Sequence, residues 1–178
     1  MYDLTLIKTN KDEALELSRK LGFSEIFFID KDIIIKNLKE IRHNKLNIVL
    51  GGSDNLNREI LNNRNVTILL NPEPATRDPL THKNSGLNQV LCNLASKNKI
   101  AIGFSIDRVN EQLIGKIMQN IKLCRKYKIK MLFFTLAKTK NDLRSAYDLL
   151  SLLYSLGMNT QEAKYALTGI KEIKEKYL

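Results

Sequence analysis

Along the chain, short continuous apolar runs alternate with stretches whose apolar residues recur every three or four positions, the pattern of strands each followed by a helix. Residues 2–7 alternate and favour β structure; residues 10–21 then put Ala14, Leu17 and Leu21 on one side and stop at Gly22. Residues 25–29 read as a second strand and 33–41 as a helix with Ile34, Leu38 and Ile41 on one stripe. A third strand at 47–50 runs into Gly51-Gly52-Ser53 and a short helix carrying Leu56, Ile60 and Leu61, and 66–70 is a fourth strand. Strands at 100–106 and 131–136 precede helices at 110–127, with Leu113, Ile117, Ile121 and Cys124 in line, and at 142–156, closed by Gly157. Residues 160–178 are mostly helical, with 165–168 the stub of a further strand.

Between the fourth and fifth strands the pattern changes. Residues 71–84, NPEPATRDPLTHKN, hold all three prolines of the chain together with Arg77, His82 and Lys83. A long polar loop in a compact domain is more often a working loop than a mere connection. It leads into HKNSGLNQVLCNLASK, where Ser85 is positioned to cap a helix, Gly86 to expose backbone N–H groups in its first turn, and Leu87, Val90, Leu91 and Leu94 to face inward. On that reading a branched side chain at Gly86 blocks an approaching anion and leaves stability nearly unchanged.

Strands that are apolar throughout are buried on both faces, and a helix after each implies parallel pairing through right-handed crossovers. Six clear β-α units with degraded last units fit either a doubly wound open sheet or a compact (β/α) TIM-like barrel, although 178 residues is short of the roughly 250 typical of the latter. No linker, repeat or low-complexity tract interrupts residues 1–178, which read as a single domain.

Lys and Arg number 29 against 19 acidic residues, a net charge of +10, which favours a polyanionic partner. Part of that excess reflects a chain also crowded with Asn and Ile. The two cysteines, Cys92 and Cys124, sit in helical patterns without a CxxC, and read as free, reduced thiols. The apolar runs are too short to span a bilayer and the N-terminus lacks the build of a signal peptide, so a cytoplasmic location without membrane attachment is expected.

Ligands gather where parallel strands end, so the rim to inspect comprises Asp30, 51–54, 71–84, Asp107, Arg108 and 135–144. Its cations Arg77, Lys83, Arg108, Lys138 and Arg144, with His82 and Gly86, are candidate RNA contacts. A second basic cluster around Lys126, at the end of the long helix, faces the other way; helix-dipole complementation accounts for it as well as RNA does. Two histidines without metal-ligand spacing make an imidazole metal site or a catalytic residue unexpected, while Asp30, Glu73, Asp78 and Asp107 could reach Mg²⁺ only through water. Asp148, the one acid between 143 and 158, is expected to be covered and clasped by Arg144, Lys164 or both.

The strings HKNSGLNQVLCNLA, LCRKY, LRSAYDLLSLLYSLGM and EAKYALT, spaced over residues 71–168, resemble the archaeal and eukaryotic ribonuclease P protein component 3 family. The resemblance implies a (β/α) barrel acting as a subunit of the ribonucleoprotein that removes 5′ leaders from precursor tRNA. It further implies that the protein binds no cofactor, that Mg²⁺ belongs to the catalytic RNA, and that the partners are ribonuclease P RNA, protein component 2, the other protein subunits and precursor tRNA. The alternatives are a metal-dependent phosphoesterase with phosphate near Gly51 and Gly86, and a generic RNA-binding barrel.

Overall fold

Parallel strands and helices alternate in the computed structural model, which describes residues 1–76 and 84–177, except over residues 25–50, where no α-helix separates the strands, and 146–177, which carry helices alone. The order is β1 (Tyr2–Thr5), α1 (Lys11–Lys20), β2 (Glu25–Phe28), β3 (Ile34–Ile35), β4 (Ile48–Leu50), α2 (Asp54–Asn62), β5 (Ile68–Leu70), α3 (Gln89–Asn98), β6 (Ala101–Ser105), α4 (Ile114–Lys126), β7 (Met131–Phe134), α5 (Ala146–Ser155), α6 (Thr160–Ala166) and α7 (Gly169–Tyr177). One sheet is β1-β2 and the other β3-β4-β5-β6-β7, every pairing parallel.

The strands are apolar throughout because both faces are covered. Leu4, Phe27, Ile48, Ile68, Leu70, Leu132 and Phe134 gather on one face, sealed by Ile170 of α7. The alternate positions Val49, Leu69, Ile102, Phe104, Met131 and Phe133 join the larger core under the helices. Both cysteines are free and buried there, and burial pushes the Cys92 thiol up to about 11.

The two sheets meet along a seam between β1 and β7. Leu136 N–H donates to Leu4 O at 3.1 Å and Leu6 N–H to Ala137 O at 2.7 Å. Next to these bonds the buried Asp3 carboxyl accepts from Thr135 N–H at 2.8 Å and, very closely, from the Thr135 hydroxyl. No ladder among the described residues joins β2 to β3, so the hydrogen-bonded sheets do not close into a ring.

Residues 33–41 depart from the helix their spacing predicts. Ile34 and Ile35 pair with Ile48 and Val49, flanked by single 3-10 turns. Three successive β-branched isoleucines, stiff at χ1 and offered an open edge on β4, favour the strand. Residues 165–168 are no strand: Tyr165 and Ala166 complete α6.

The start of α3 also differs. Asn88 is its cap, accepting from Leu91 N–H at 3.0 Å, while the Ser85 hydroxyl donates to Leu87 O. Val90 is 52% exposed; Leu91, Cys92 and Ala95 face inward instead. Gly86 precedes the helix at φ +83, where a Cβ would stand 1.9 Å from Pro72 O. The glycine is required by packing, and its N–H donates to Asn84 Oδ1 at 2.8 Å.

The clasp expected at Asp148 is formed by other residues. Asp148 and Lys164 are both exposed, and the Arg144 guanidinium donates to Asn141 O and Leu143 O. Leu149 and Leu153 fill the inner face of α5, leaving Asp148 outside. Arg125 at the end of α4 binds both carboxylate oxygens of Glu162, at 2.7 and 2.5 Å, and Gly157 O at 2.6 Å, tying α4 to the α5–α6 turn. Glu162 also closes the capping box with Asn159 that starts α6.

Burial pushes the Asp3 carboxyl up to about 7 against its hydrogen bonds from Thr135 and Leu4. Folding then takes up a proton between an ordinary aspartate pKa and about 7, so this contribution to stability falls as pH rises through that window and levels off above it. In paired thermal melts Asp3→Asn is expected to cost more at about pH 5 than at about pH 8, because the wild type alone bears the ionisation penalty. A pH-independent difference overturns the assignment. Gly86→Ala is expected to destabilise by more than ~1 kcal/mol, since it combines a left-handed φ with a backbone clash. Gly157→Ala, at φ +96 in open space, bears only the left-handed penalty of about 1–2 kcal/mol.

Candidate nucleic-acid interface

The loop leaving β5 is held by buried polar side chains at both of its stems. At the strand end Asn71 turns left-handed (φ 51), and its amide both donates to the Ser105 hydroxyl at 2.7 Å and accepts from Ser105 N–H at 2.9 Å. That exchange sews the end of β5 to the end of β6, while the Ser105 hydroxyl donates onward to Asp107.

Two helices then grip the stems from either side. From α2, the Asn57 amide nitrogen donates to Pro72 O and Gly86 O, both at 2.9 Å, and Asn57 Oδ1 accepts from Gly52 N–H at 2.9 Å. From α4, the Asn120 amide donates to Glu73 Oε1 at 2.9 Å and Ser85 O at 2.8 Å. One turn before Asn120, Lys116 inserts its ammonium beneath the loop and donates to Pro74 O at 3.1 Å and Thr76 O at 2.9 Å. Asn84 adds a bond to Asp54 at 2.9 Å. Residues 72–76 and 84–86 are therefore fixed to the same two helices, which a buried backbone requires once it leaves the sheet.

Glu73 is fully buried, and burial pushes its carboxyl up to about 7, opposed by the Asn120 bond and by the nearby Arg108 and Lys116 charges. Glu73 Oε2 and Asn120 Oδ1 have no partner among the described residues.

Gly51 serves packing. A Cβ on Gly51 would lie 2.8 Å from both Asn57 Oδ1 and Leu69 Cδ1. The Gly51 N–H donates to Leu70 O at 2.7 Å and the Gly52 N–H to Asn57, so neither is available to a phosphate. Among the described residues no three of His, Cys, Asp and Glu gather into a metal-ligand group. Asp30 is exposed, Asp107 is engaged with Ser105, and Glu73 with Asn120.

Of the sequence-derived candidates, Arg77, His82 and Lys83, with Asp78, lie outside the described residues. Arg108 follows β6 and is half-buried; Lys138 and Arg144 follow β7 and are exposed, so these three share the strand-end rim with the gripped loop. Lys126 sits at the other end, exposed over the Tyr127 ring at 5.7 Å. Gly86 belongs to the stem. Asn57, Asn120 and Lys116 were not legible as site residues, since a polar residue on an amphipathic helix is distinguished only by its depth. The one available signal was that each occupies the otherwise apolar side of its helix.

No family model matches the chain. A ribonuclease P protein component 3 from Methanococcoides burtonii is 34% identical over an alignment covering 98% of this chain and 88% of that protein. The namesake from Methanosarcina barkeri is 36% identical over 70% of this chain, which spans about half (52%) of that relative's length, and that from Thermococcus kodakarensis is 27% identical over 88% of this chain and 72% of its own. Among solved structures, a chain of a cryo-EM structure of archaeal ribonuclease P with mature tRNA superposes with a TM-score of 0.77, covering 98% of this chain and 90% of that one at 21% identity, a likeness of fold. By its near-full-length relationship to the M. burtonii protein, this chain belongs to the ribonuclease P protein component 3 family.

Proposed function

We propose that this protein is a noncatalytic subunit of ribonuclease P, the ribonucleoprotein that cleaves 5′ leaders from precursor tRNA. Family membership carries the reading. The protein acts beside the ribonuclease P RNA, component 2 and the other protein subunits on precursor tRNA; the RNA holds the catalytic Mg²⁺ and the protein supports its folding. The parallel strands, joined at the β1–β7 seam, are read as a reduced and open (β/α) barrel in a single cytoplasmic domain. Among the described residues no helix is long and apolar enough to cross a membrane.

The strand-end rim is the primary RNA face. Its loop stems are gripped by Asn57, Asn120 and Lys116, which fixes the base from which the segment bearing Arg77, His82 and Lys83 departs. Arg108, Lys138 and Arg144 extend positive charge along the same rim, and Lys126 contributes from the opposite end. Gly86 serves RNA indirectly, by letting the two stems meet. A phosphoesterase with phosphate at Gly51, Gly52 and Gly86 is disfavoured because all three N–H groups are already donated within the protein.

The purified protein alone is expected to cleave no precursor tRNA, and to stimulate cleavage when added to ribonuclease P RNA with the remaining subunits. Chelator-sensitive cleavage by the protein alone overturns the reading, and co-purification with an RNA other than that of ribonuclease P favours the generic RNA-binding role. Lys138→Ala and Arg144→Ala are each expected to lower the salt dependence of RNA binding by about one contact while leaving the melting temperature nearly unchanged. Unchanged salt slopes remove those residues from the interface.

A further inference from the structure

At the end of the sheet away from the gripped loop, α3 and α4 finish in the same way. Both run into a Lys-x-Lys-Ile sequence, Lys97-Asn98-Lys99-Ile100 and Lys126-Tyr127-Lys128-Ile129, which enters β6 and β7. In each, the second lysine takes a left-handed conformation, φ 57 at Lys99 and φ 54 at Lys128. The bonds repeat as well. Lys99 N–H donates to Ser96 O at 3.2 Å and Ile100 N–H to Ala95 O at 3.0 Å; Lys128 N–H donates to Arg125 O at 3.2 Å and Ile129 N–H to Cys124 O at 2.9 Å.

Glycine is the residue this position ordinarily takes, because a side chain there is strained. Two lysines at equivalent strained positions on neighbouring helices therefore call for a reason outside the backbone. Both border one cleft of ≈ 390 Å³ between the strand entries and α7. Ser96, Lys130, Lys176 and Tyr177 border it too, and Glu172 is the one carboxylate in its lining. Glu172 is engaged by Lys130 at 3.2 Å and by the Tyr165 hydroxyl at 3.1 Å. Neither Lys99 nor Lys128 has a carboxylate partner among the described residues. Lys176 lies over the Tyr177 ring at 5.4 Å. The capping bonds satisfy carbonyls of both helix ends, which lowers the negative potential an anion would meet there.

We infer that this cleft is a second RNA-binding site, in which Lys99 and Lys128, aided by Lys176, hold phosphodiester groups while Tyr177 offers a ring to a base. It rests on the ribonuclease P subunit reading and deepens it, adding a cleft at the end of the sheet where Lys126 stands. One protein then touches RNA at both ends of its strands.

The test uses the full chain and a ribonuclease P RNA transcript, with affinity measured over a range of salt. In the variant Lys99→Gly with Lys128→Gly, glycine suits the left-handed backbone, so the melting temperature is expected to hold or rise. Removing two phosphate contacts should lower the slope of log affinity against log salt by about 1.4 to 1.8. The control Arg19→Gln with Lys20→Gln, exposed on α1, should leave the slope unchanged. A wild-type slope in the glycine variant, or an equal loss in the control, overturns the cleft while the subunit reading stands. If the wild-type chain shows no salt-dependent binding to the transcript, that reading itself fails. Inorganic pyrophosphate and a polyglutamate peptide are the other probes: loss of either from the glycine variant with RNA binding intact reassigns the cleft to free anions or to an acidic protein segment and overturns the RNA assignment.

Discussion

The seam between β1 and β7 is the interaction on which the architecture turns. Five strands pair continuously, and the remaining two form a separate ribbon that must be held in register against them. Two backbone hydrogen bonds do part of this, and the Asp3 carboxyl does the rest by accepting from both the N–H and the hydroxyl of Thr135. A carboxyl in this position is costly to desolvate, which is why its pKa rises even though its bonds favour the charged form. What it returns is registry: an apolar residue at position 3 would leave Thr135 N–H without that acceptor inside the protein.

The same economy of buried polar groups shapes the candidate RNA-contacting end. A loop that leaves a fully buried strand carries carbonyls into the interior, and these must be met. Asn57 meets the Pro72 and Gly86 carbonyls, and Asn120 the Ser85 carbonyl together with the Glu73 carboxyl, each spanning the outgoing and returning stems, so α2 and α4 together define the width of the loop base. Lys116 extends the grip to Thr76, the last residue described before the basic segment. The helix packing that builds the core thus also positions the candidate RNA-contacting loop.

Charge follows from where helices and strands end. Basic residues after β6 and β7 populate one end of the sheet, and the lysines closing α3 and α4 populate the other. A +10 chain of this topology is consequently basic at two ends, with α5 between them presenting Tyr147 and Tyr154 and a single carboxylate, Asp148. Arg125 is an exception among the cations because it is committed to Glu162 and supports the fold.

The amino-acid sequence by itself determined the β-α alternation, the paired apolar faces of the strands, the inward stripes Ala14, Ile60 and Ile117–Ile121, and the family, since these depend on local periodicity and residue spacing. It also located the long polar loop between β5 and α3. Its spacing misled at 33–41, where Ile34, Leu38 and Ile41 traced a helical stripe but Ile34 and Ile35 took the pairing edge that β4 offers, and at Ser85 and Gly86, whose helix begins three residues later behind Asn88. Tertiary structure alone decided that Gly86 lies against Pro72, that Asp148 faces solvent while Arg125 and Glu162 tie the last helices, and that Asp3, Asn57, Lys116 and Asn120 are the buried polar members. Each of those outcomes depends on how close two distant segments come, and the free energy of a polar or small residue depends on the neighbours that such an approach supplies.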